Sequence, residues 1–273
     1  MATIIQKVKW TLERKIYLLT GLSLQGRFSL GKYFSLKTDL KEIQKQSNNS
    51  RISFPVTKLW ACYEDKQEDS GTISGAYFHQ DLFIAQQIFK NNPTRHVDIG
   101  SRVDGFVAHV ASFREIEVFD IRPLENKVTN ISFKQCDLMD EKNVGRYAES
   151  CESVSCLHVL EHFGLGRYGD PINYDGYLSG FHNIAKMIKQ GGRFYFSVPL
   201  GIQRIEFHAH RVFSLSYLLE MIMPLYDVES FSYIDQYGDF HPFTELTAEN
   251  VETNCGCNGL HEIACAVFVL IKK

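Results

Sequence analysis

The sequence predicts an α/β fold in which helices cover both faces of a doubly wound, mostly parallel sheet of seven strands. Between residues 78 and 223, short apolar runs of strand length alternate with segments of helical periodicity. Beyond residue 225, two more strand-like runs are joined by a polar loop that lacks a helical pattern. Two such runs in succession predict an antiparallel C-terminal edge strand.

The composition describes a folded chain with no strong charge bias. Its 273 residues, 44% of them apolar, are enough for one large domain with an extension. The 29 basic and 32 acidic residues give a net charge of -3, so no nucleic-acid partner is expected. No apolar run reaches the roughly 18 residues that span a bilayer. Seven cysteines without a repeated spacing predict reduced thiols and a cytoplasmic location.

The N-terminal segment differs from the remainder in charge, because residues 1–45 carry nine basic and three acidic side chains. Apolar residues recur there at gaps of three and four, which predicts a basic amphipathic helix, at Ile5, Val8, Leu12, Ile16 and Leu19. Two interpretations remain open for residues 3–20: peripheral docking to a membrane or protein partner, or packing on the chain's own domain. The polar run 45–51 predicts a boundary between an extension, 1–50, and a main domain, 51–273.

The main domain is predicted to begin with a helix at 78–90, with Leu82, Ala85 and Phe89 on one side and Asn91-Asn92-Pro93 at its end. Further helices are predicted at 105–113, 174–189 and 213–223. The seven strands are predicted at 96–100, 117–121, 131–137, 153–158, 193–199, 226–234 and 263–271. Parallel strands place their carboxyl ends at one edge, where open α/β sheets bind ligands.

Acidic residues and a glycine stand at the ends of the first three strands. Gly100 follows the first strand directly, so the backbone there can approach a ligand closely. Asp98, just before it, would repel a pyrophosphate but pair with a hydrogen-bond donor. Asp120 lies 22 residues further on, the spacing of an acid that holds a ribose diol, or it caps a turn. Asp137 would accept from an exocyclic amine or form an Asx-turn.

These motifs resemble the ordered motifs of class I S-adenosylmethionine-dependent methyltransferases. The matching runs are Val97-Asp-Ile-Gly100, Phe119-Asp120, Cys136-Asp137, His158-Val-Leu-Glu-His162 and Gly191-Gly-Arg-Phe-Tyr-Phe-Ser-Val-Pro199, within about residues 75 to 271. More closely, Leu160-Glu-His-Phe-Gly-Leu-Gly-Arg-Tyr-Gly-Asp-Pro171 resembles a methyltransferase-like family of unknown function, often linked to carbohydrate or cell-surface biosynthesis. The resemblance implies S-adenosylmethionine as cofactor, held by Asp98, Gly100, Ser101, Asp120, Ile121, Asp137 and Leu138.

The cofactor loop departs from the family's pattern at two positions. Arg102 replaces the usual second glycine, and Asp104 replaces the next small residue, with Gly105 one place later. Because side chains at these positions take up space, a narrower cofactor pocket is expected.

The loop after the fourth strand carries the candidate catalytic groups Glu161, His162 and His158. Transfer to an alcohol needs a base, and a neutral histidine suits that task near pH 7, with His162 the first candidate and His158 the second. Each could instead be a hydrogen-bonding residue at the strand end. The residues predicted to bind the acceptor are Arg167, Tyr168, Asp170, His208, His210 and Arg211. His208 and His210 share a face only if their segment is extended, and a solvated basic loop is the alternative.

The sequence therefore predicts a His-assisted methyltransferase that acts on an oxygen of a small or carbohydrate-like acceptor. The alternative is a catalytically silent, methyltransferase-like docking module. The motif H-x-x-E-H also occurs in zinc hydrolases, but glycines and a proline follow too soon for a metal-binding helix, so no metal is expected. An NAD-dependent oxidoreductase is disfavoured because G-x-G-x-x-G is absent after the first strand.

Overall fold

The computed structural model describes residues 30–52, 54–62, 69–125 and 127–273. They divide between two compact units, one ending at Thr72 and the other spanning Ile73–Lys273. The first unit contains helix α1, Leu30–Ser47. The helix predicted within residues 3–20 lies outside the described residues, and the boundary after residue 50 stays a prediction.

The second unit alternates strands and helices as predicted. Its first half contains α2 (Ala76–Asn91), β1 (His96–Ile99), a π-helical turn (Val103–Val107), α3 (Ala108–Ala111), β2 (Ile116–Asp120), β3 (Ile131–Gln135), α4 (Glu141–Val144), a 3-10 turn (Gly145–Tyr147) and β4 (Cys151–Leu157). Its second half contains a 3-10 turn (Leu160–His162), α5 (Gly176–Met187), β5 (Ile188–Leu200), β6 (Arg204–Glu206), β7 (His210–Val212), α6 (Leu215–Ile222), β8 (Tyr226–Ile234), β9 (Phe240–His241), α7 (Ala248–Glu252), a 3-10 turn (Asn254–Gly256) and β10 (Ala264–Lys272).

The main sheet has the strand order β3-β2-β1-β4-β5-β10-β8-β9. The pairs from β3 to β5 are parallel, whereas β10 runs antiparallel to both β5 and β8. The predicted Rossmann-like fold with an antiparallel C-terminal part is confirmed. The last strand of the chain lies between β5 and β8, and the two-residue strand β9 adds an eighth strand outside β8.

Two apolar clusters pack on the sheet and form the core. One contains residues of α5 and α6, and the other contains residues of α2 and α3. The side of α2 that carries Leu82, Ala85 and Phe89 is only partly buried, because Leu82 is 39% exposed and Phe89 is 66% exposed. The helix instead buries Ile84, Ile88 and Phe83. Apolar residues surround much of this helix, so periodicity alone did not identify its inner face.

No helix in the described ranges is long and apolar enough to cross a bilayer. All seven cysteines lie in the described part of the chain, and none of them forms a disulfide.

Candidate active site

A cavity of about 220 Å³ opens at the carboxyl ends of β1, β2, β3 and β4. Eleven of the residues predicted to form the site line this cavity, namely Gly100, Ser101, Asp120, Ile121, Asp137, Leu138, His158, His162, Arg167, Tyr168 and Asp170. Five others are not among its lining residues: Asp98, Glu161, His208, His210 and Arg211. The sheet edge therefore gathers most of the predicted cofactor residues and one of the two predicted acceptor segments.

The turn after β1 approaches the cavity through backbone. Gly100 has a φ of +66°, and a Cβ there would lie 2.7 Å from the Val159 side chain. Asp98 is fully buried and accepts hydrogen bonds from Ser101 N at 3.0 Å, Ser101 Oγ at 2.8 Å and Ser155 Oγ at 2.6 Å. Burial raises the pKa of Asp98 to about 7, against these three donors. Asp98 thus shapes the turn from beneath and does not face the cavity.

The two unusual side chains of this turn pair with each other. Arg102 Nη2 lies 2.8 Å from Asp104 Oδ2, and both side chains are at least 70% exposed. Arg102 lines the cavity, whereas Asp104 does not. Both side chains therefore lie on the solvent-exposed side of the turn.

Asp120, the predicted ribose-binding acid, is held by an arginine that the sequence analysis missed. Arg122 donates to its carboxylate from Nη2 at 2.6 Å, from Nε at 3.0 Å and from the backbone N at 2.8 Å. The guanidinium also lies over the Tyr168 ring, 4.5 Å from its centre. The position of Arg122, two residues beyond a strand-end aspartate, could have revealed it, because an Asx-turn brings that residue back to the carboxylate.

Asp137 and its neighbours form a wall beside Asp120. Met139 N donates to Asp137 Oδ1 at 2.9 Å, so this side chain forms the Asx-turn that was one of its two predicted roles. Among the described residues no donor reaches Oδ2, and Asp137 lines the cavity. Leu138 is buried there. A carboxylate oxygen beside an apolar side chain is suited to a flat base that carries an amine.

His162 lies in the 3-10 turn after β4 and contacts the cavity. Its Nδ1 donates to the Ala209 carbonyl at 2.7 Å, which leaves Nε2 as the unprotonated nitrogen of the neutral ring. Burial lowers the pKa of His162, although Glu161 and the Ala209 carbonyl act in the opposite direction. Arg167 Nη1 donates to the same carbonyl at 3.0 Å. Sequence reasoning missed Ala209, because a contact made by a backbone carbonyl depends little on the side chain.

His158 belongs to a buried network. Its Nδ1 lies 3.0 Å from Glu161 Oε1, and its Nε2 lies 3.1 Å from Cys265 Sγ on β10. Burial disfavours the charged ring, but Cys265 and Glu161 outweigh it and raise the pKa of His158 well above its usual value. Glu161 is 1% exposed, and its Oε1 also lies 3.7 Å from His162 Nε2. Glu161 thus contacts both histidines from behind the cavity wall.

The second predicted acceptor segment forms a hairpin, β6–β7, and does not remain extended. A turn reverses the chain at His208, which has a φ of +66°, so His208 and His210 do not share a strand face. His208 is exposed, and His210 Nε2 lies 3.3 Å from Glu206 Oε2. Arg211 is 4% exposed and donates to the carbonyls of Phe163 and Tyr174. Arg211 therefore ties down the loop after β4 and is not an acceptor ligand in this cavity.

That loop, residues 163–175, positions Arg167 and Tyr168. Asp170 accepts hydrogen bonds from Gly166 N and Tyr168 N, each at 3.1 Å, so both of its oxygens already have backbone partners. Gly164 has a φ of +77°, and a Cβ there would lie 1.9 Å from Asn173 O. The H-x-x-E-H motif occupies a strand end and a single 3-10 turn. Within the described residues no cluster of three metal-ligating side chains occurs.

Comparison with known proteins gives a family and a fold. The model of the family described as "Caenorhabditis protein of unknown function, DUF268" matches residues 109–262, more than half of the chain. A comparison with curated protein sequences finds no match.

Solved structures of similar shape include the [4+2]-cyclase SpnF, with 10% identity, a TM-score of 0.52, and coverage of 71% of this chain and 80% of that one. They also include the N-methyltransferase NodS from Bradyrhizobium japonicum WM9 with S-adenosyl-L-homocysteine, at 11% identity and a TM-score of 0.47, covering 73% and 89%. A third is the Burkholderia thailandensis 1,6-didemethyltoxoflavin-N1-methyltransferase, at 11% identity and a TM-score of 0.47, covering 90% and 91%. The likeness to the cyclase shows the fold, and a shared fold does not by itself identify the reaction.

Proposed function

Because this chain belongs to the DUF268 family, whose function is unknown, its activity has to be argued from the site, and we propose that it is a methyltransferase. It transfers the methyl group of S-adenosylmethionine to an oxygen of a small or carbohydrate-like acceptor. One observation carries the proposal: Gly100, Asp120, Asp137 and His162 lie at or just beyond the carboxyl ends of four adjacent strands and line one cavity. This arrangement joins a nucleoside site to a base within a single pocket.

The residues present are suited to the cofactor. Asp120 would hold the ribose hydroxyls, and Asp137 would accept from the adenine amine. Gly100 provides a turn at which a Cβ would meet Val159, so the backbone stays close to the cavity. When bound, S-adenosylmethionine supplies an electrophilic methyl group, and the protein has to align an acceptor oxygen and remove its proton.

His162 would take that proton at Nε2. Its Nδ1–H is committed to the Ala209 carbonyl, and burial lowers the pKa of His162, so the neutral ring predominates near pH 7. The Glu161 carboxylate, 3.7 Å from Nε2, would then stabilise the imidazolium that forms. Glu161 is a positioning residue in this scheme, because it does not line the cavity.

His158 is a poorer base than His162. Both of its ring nitrogens have partners, and Cys265 and Glu161 raise the pKa of His158 well above the usual value despite burial. A protonated ring cannot accept the acceptor's proton. His158 would instead keep the buried Glu161 carboxylate neutralised.

The acceptor would contact Arg167 and Tyr168, which line the cavity beside His162. An aromatic ring can stack on a sugar, and a guanidinium beside it can donate hydrogen bonds to the sugar's oxygens. A role in carbohydrate biosynthesis would follow from such an acceptor. Docking of residues 3–20 to a membrane or a protein partner is a separate proposal that rests on the sequence pattern alone.

Calorimetric titration with S-adenosylmethionine and S-adenosylhomocysteine tests the proposal. We expect one binding site per chain, with weaker binding in the Asp137→Asn variant and unchanged binding in Asp140→Asn. Asp140 is a matched control because it caps α4 from the next turn. If neither ligand binds at millimolar concentration, the methyltransferase proposal is wrong.

The second candidate is a catalytically silent binding module. The Asp120–Arg122 pair favours it, because the arginine already occupies the acid that a ribose would need. Single-turnover incubation with methyl-labelled cofactor and a mixture of sugar acceptors separates the two candidates. Label transfer that disappears in His162→Asn supports the enzyme, whereas cofactor binding without any transfer to these acceptors supports the module.

A further inference from the structure

Arg122 has two partners, and a cofactor would compete for only one of them. Asp120 receives two guanidinium hydrogen bonds from this side chain, while the same guanidinium lies 4.5 Å from the centre of the Tyr168 ring. Ribose hydroxyls that take Asp120 would displace the first contact. The contact with Tyr168 does not involve Asp120, so it would keep the released guanidinium beside the cavity.

Arg167 lies over the same aromatic ring, at 5.1 Å from its centre. One of its donors binds the Ala209 carbonyl, which orients the side chain. Both arginines line the cavity, and Tyr168 is held in place through its backbone N–H by Asp170. Two guanidinium groups thus lie around one positioned ring, next to the candidate base His162.

The carboxylates of the cavity do not neutralise both of these arginines. Among the carboxylates that line the cavity, Asp120 pairs with Arg122, and Asp137 accepts from Met139 N. Asp170 accepts from two backbone N–H groups. No described carboxylate lies within ion-pair distance of Arg167, so this side chain retains donors for an anion from solution.

We propose that Arg122 is an exchangeable latch: cofactor binding at Asp120 releases it, and with Arg167 it then binds an oxyanion of the acceptor. The inference rests on the proposed function, because it assigns Asp120 to the cofactor. It identifies the acceptor as a compound that carries a phosphate or carboxylate group. It also sets an order of binding, in which the cofactor precedes the anionic acceptor.

The coupling is measured by titrating inorganic phosphate, and in a separate arm glucuronate, into the protein with and without saturating S-adenosylhomocysteine. We expect either anion to bind about 5-fold or more tightly when the analogue is present. Thermodynamic reciprocity requires that the anion increase the affinity for the analogue by the same factor. Arg167→Gln should weaken anion binding both with and without the analogue. Arg122→Gln should remove only the increase in anion affinity that the analogue causes. The arm that binds more tightly identifies phosphate or carboxylate.

A second experiment tests the latch without any cofactor. Asp120→Asn should release Arg122 and strengthen anion binding about 5-fold, and the double variant Asp120→Asn/Arg122→Gln should lose that gain. Asp137→Asn is the matched control, because it removes one negative charge from the same cavity without freeing an arginine. Equal gains in Asp120→Asn and Asp137→Asn, or no gain in either, would overturn the latch.

The two proposals fail in distinguishable ways. Tight binding of S-adenosylhomocysteine with unchanged anion affinity overturns the latch and leaves the methyltransferase proposal intact. Absence of analogue binding overturns both as stated, and a gain in Asp120→Asn would then establish only an anion site controlled by Asp120.

Discussion

His162 Nδ1 lies 2.7 Å from the carbonyl oxygen of Ala209, which joins the loop after β4 to the β6–β7 hairpin. The bond sets the tautomer of the ring, because a carbonyl can only accept. Arg167 donates to the same oxygen, so one backbone atom orients both the candidate base and the candidate anion ligand. The position of the hairpin backbone is therefore as important to the site as the side chains that line the cavity.

Replacement of His162 by asparagine should reduce turnover and leave cofactor affinity unchanged. The asparagine amide can replace Nδ1 as the donor to Ala209, but it has no group at the position of Nε2. We expect kcat to fall about 10²- to 10⁴-fold, the usual contribution of general base catalysis. Measurement needs an acceptor that supports turnover in the wild type. His182→Asn is the control, because His182 Nδ1 bonds similarly to Leu178 O on the exposed face of α5. Equal losses in both variants would contradict the assignment.

The two histidines of the loop should carry different charges at neutral pH. Contacts with Cys265 and Glu161 overcome burial and raise the pKa of His158, whereas burial lowers the pKa of His162. Nitrogen NMR of the imidazole rings should show His158 protonated and His162 neutral at pH 7, with His162 protonated on Nδ1. Observation of a neutral His158 would refute the interpretation that this ring neutralises Glu161.

The contribution of Asp98 to folding stability should decrease as the pH rises. Burial raises its pKa to about 7, above the value of 3.8 for an unperturbed carboxyl. A carboxyl with the higher pKa in the folded state binds a proton on folding, so its contribution is full below pH 4 and is lost as the pH rises to about 7. His96 acts in the opposite direction, because burial lowers its pKa to about 3.

Comparison with Asp98→Asn isolates the Asp98 contribution, since the variant retains His96. Denaturant unfolding between pH 3 and pH 8 should show the wild type losing stability relative to the variant as the pH rises. A stability difference that does not change with pH would show that Asp98 has the same pKa in both states.

The loop after β4 should tolerate a methyl group at Gly169 better than at Gly164. Both glycines have a positive φ, so alanine costs about 1–2 kcal/mol at either position. At Gly164 the added Cβ would also meet Asn173 O, whereas the space around Gly169 is open. Thermal unfolding should therefore show a loss at least twice as large for Gly164→Ala. Similar losses would mean that the loop relaxes around the new methyl group.

Much of the fold follows from local sequence pattern. Strands such as β1 and β4 combine apolar and polar residues in short runs between breakers, and Asn92 and Pro93 end α2 where predicted. The residues that end parallel strands meet at one edge by topology, which is why Gly100, Asp120, Asp137 and His158 could be assigned to one cavity. The observed strand bounds differ from the predicted ones by a few residues without changing that result.

Side-chain partners depend on contacts between segments far apart in the chain, and these were not predicted. Asp98 was expected at the ligand, but two serines hold it beneath the turn, one of them from β4. Arg211 was expected at the acceptor, but it donates to the carbonyls of the loop after β4.

The sequence alone determined the order of strands and helices and the acids at the strand ends, because periodicity and breakers act over a few residues. Tertiary structure decided which of those groups face the cavity. It placed Cys265 of β10 against His158, and it brought Ala209 O to His162 across 47 residues. Burial and hydrogen-bond geometry, which assign charge and tautomer, arise only when these distant segments pack together.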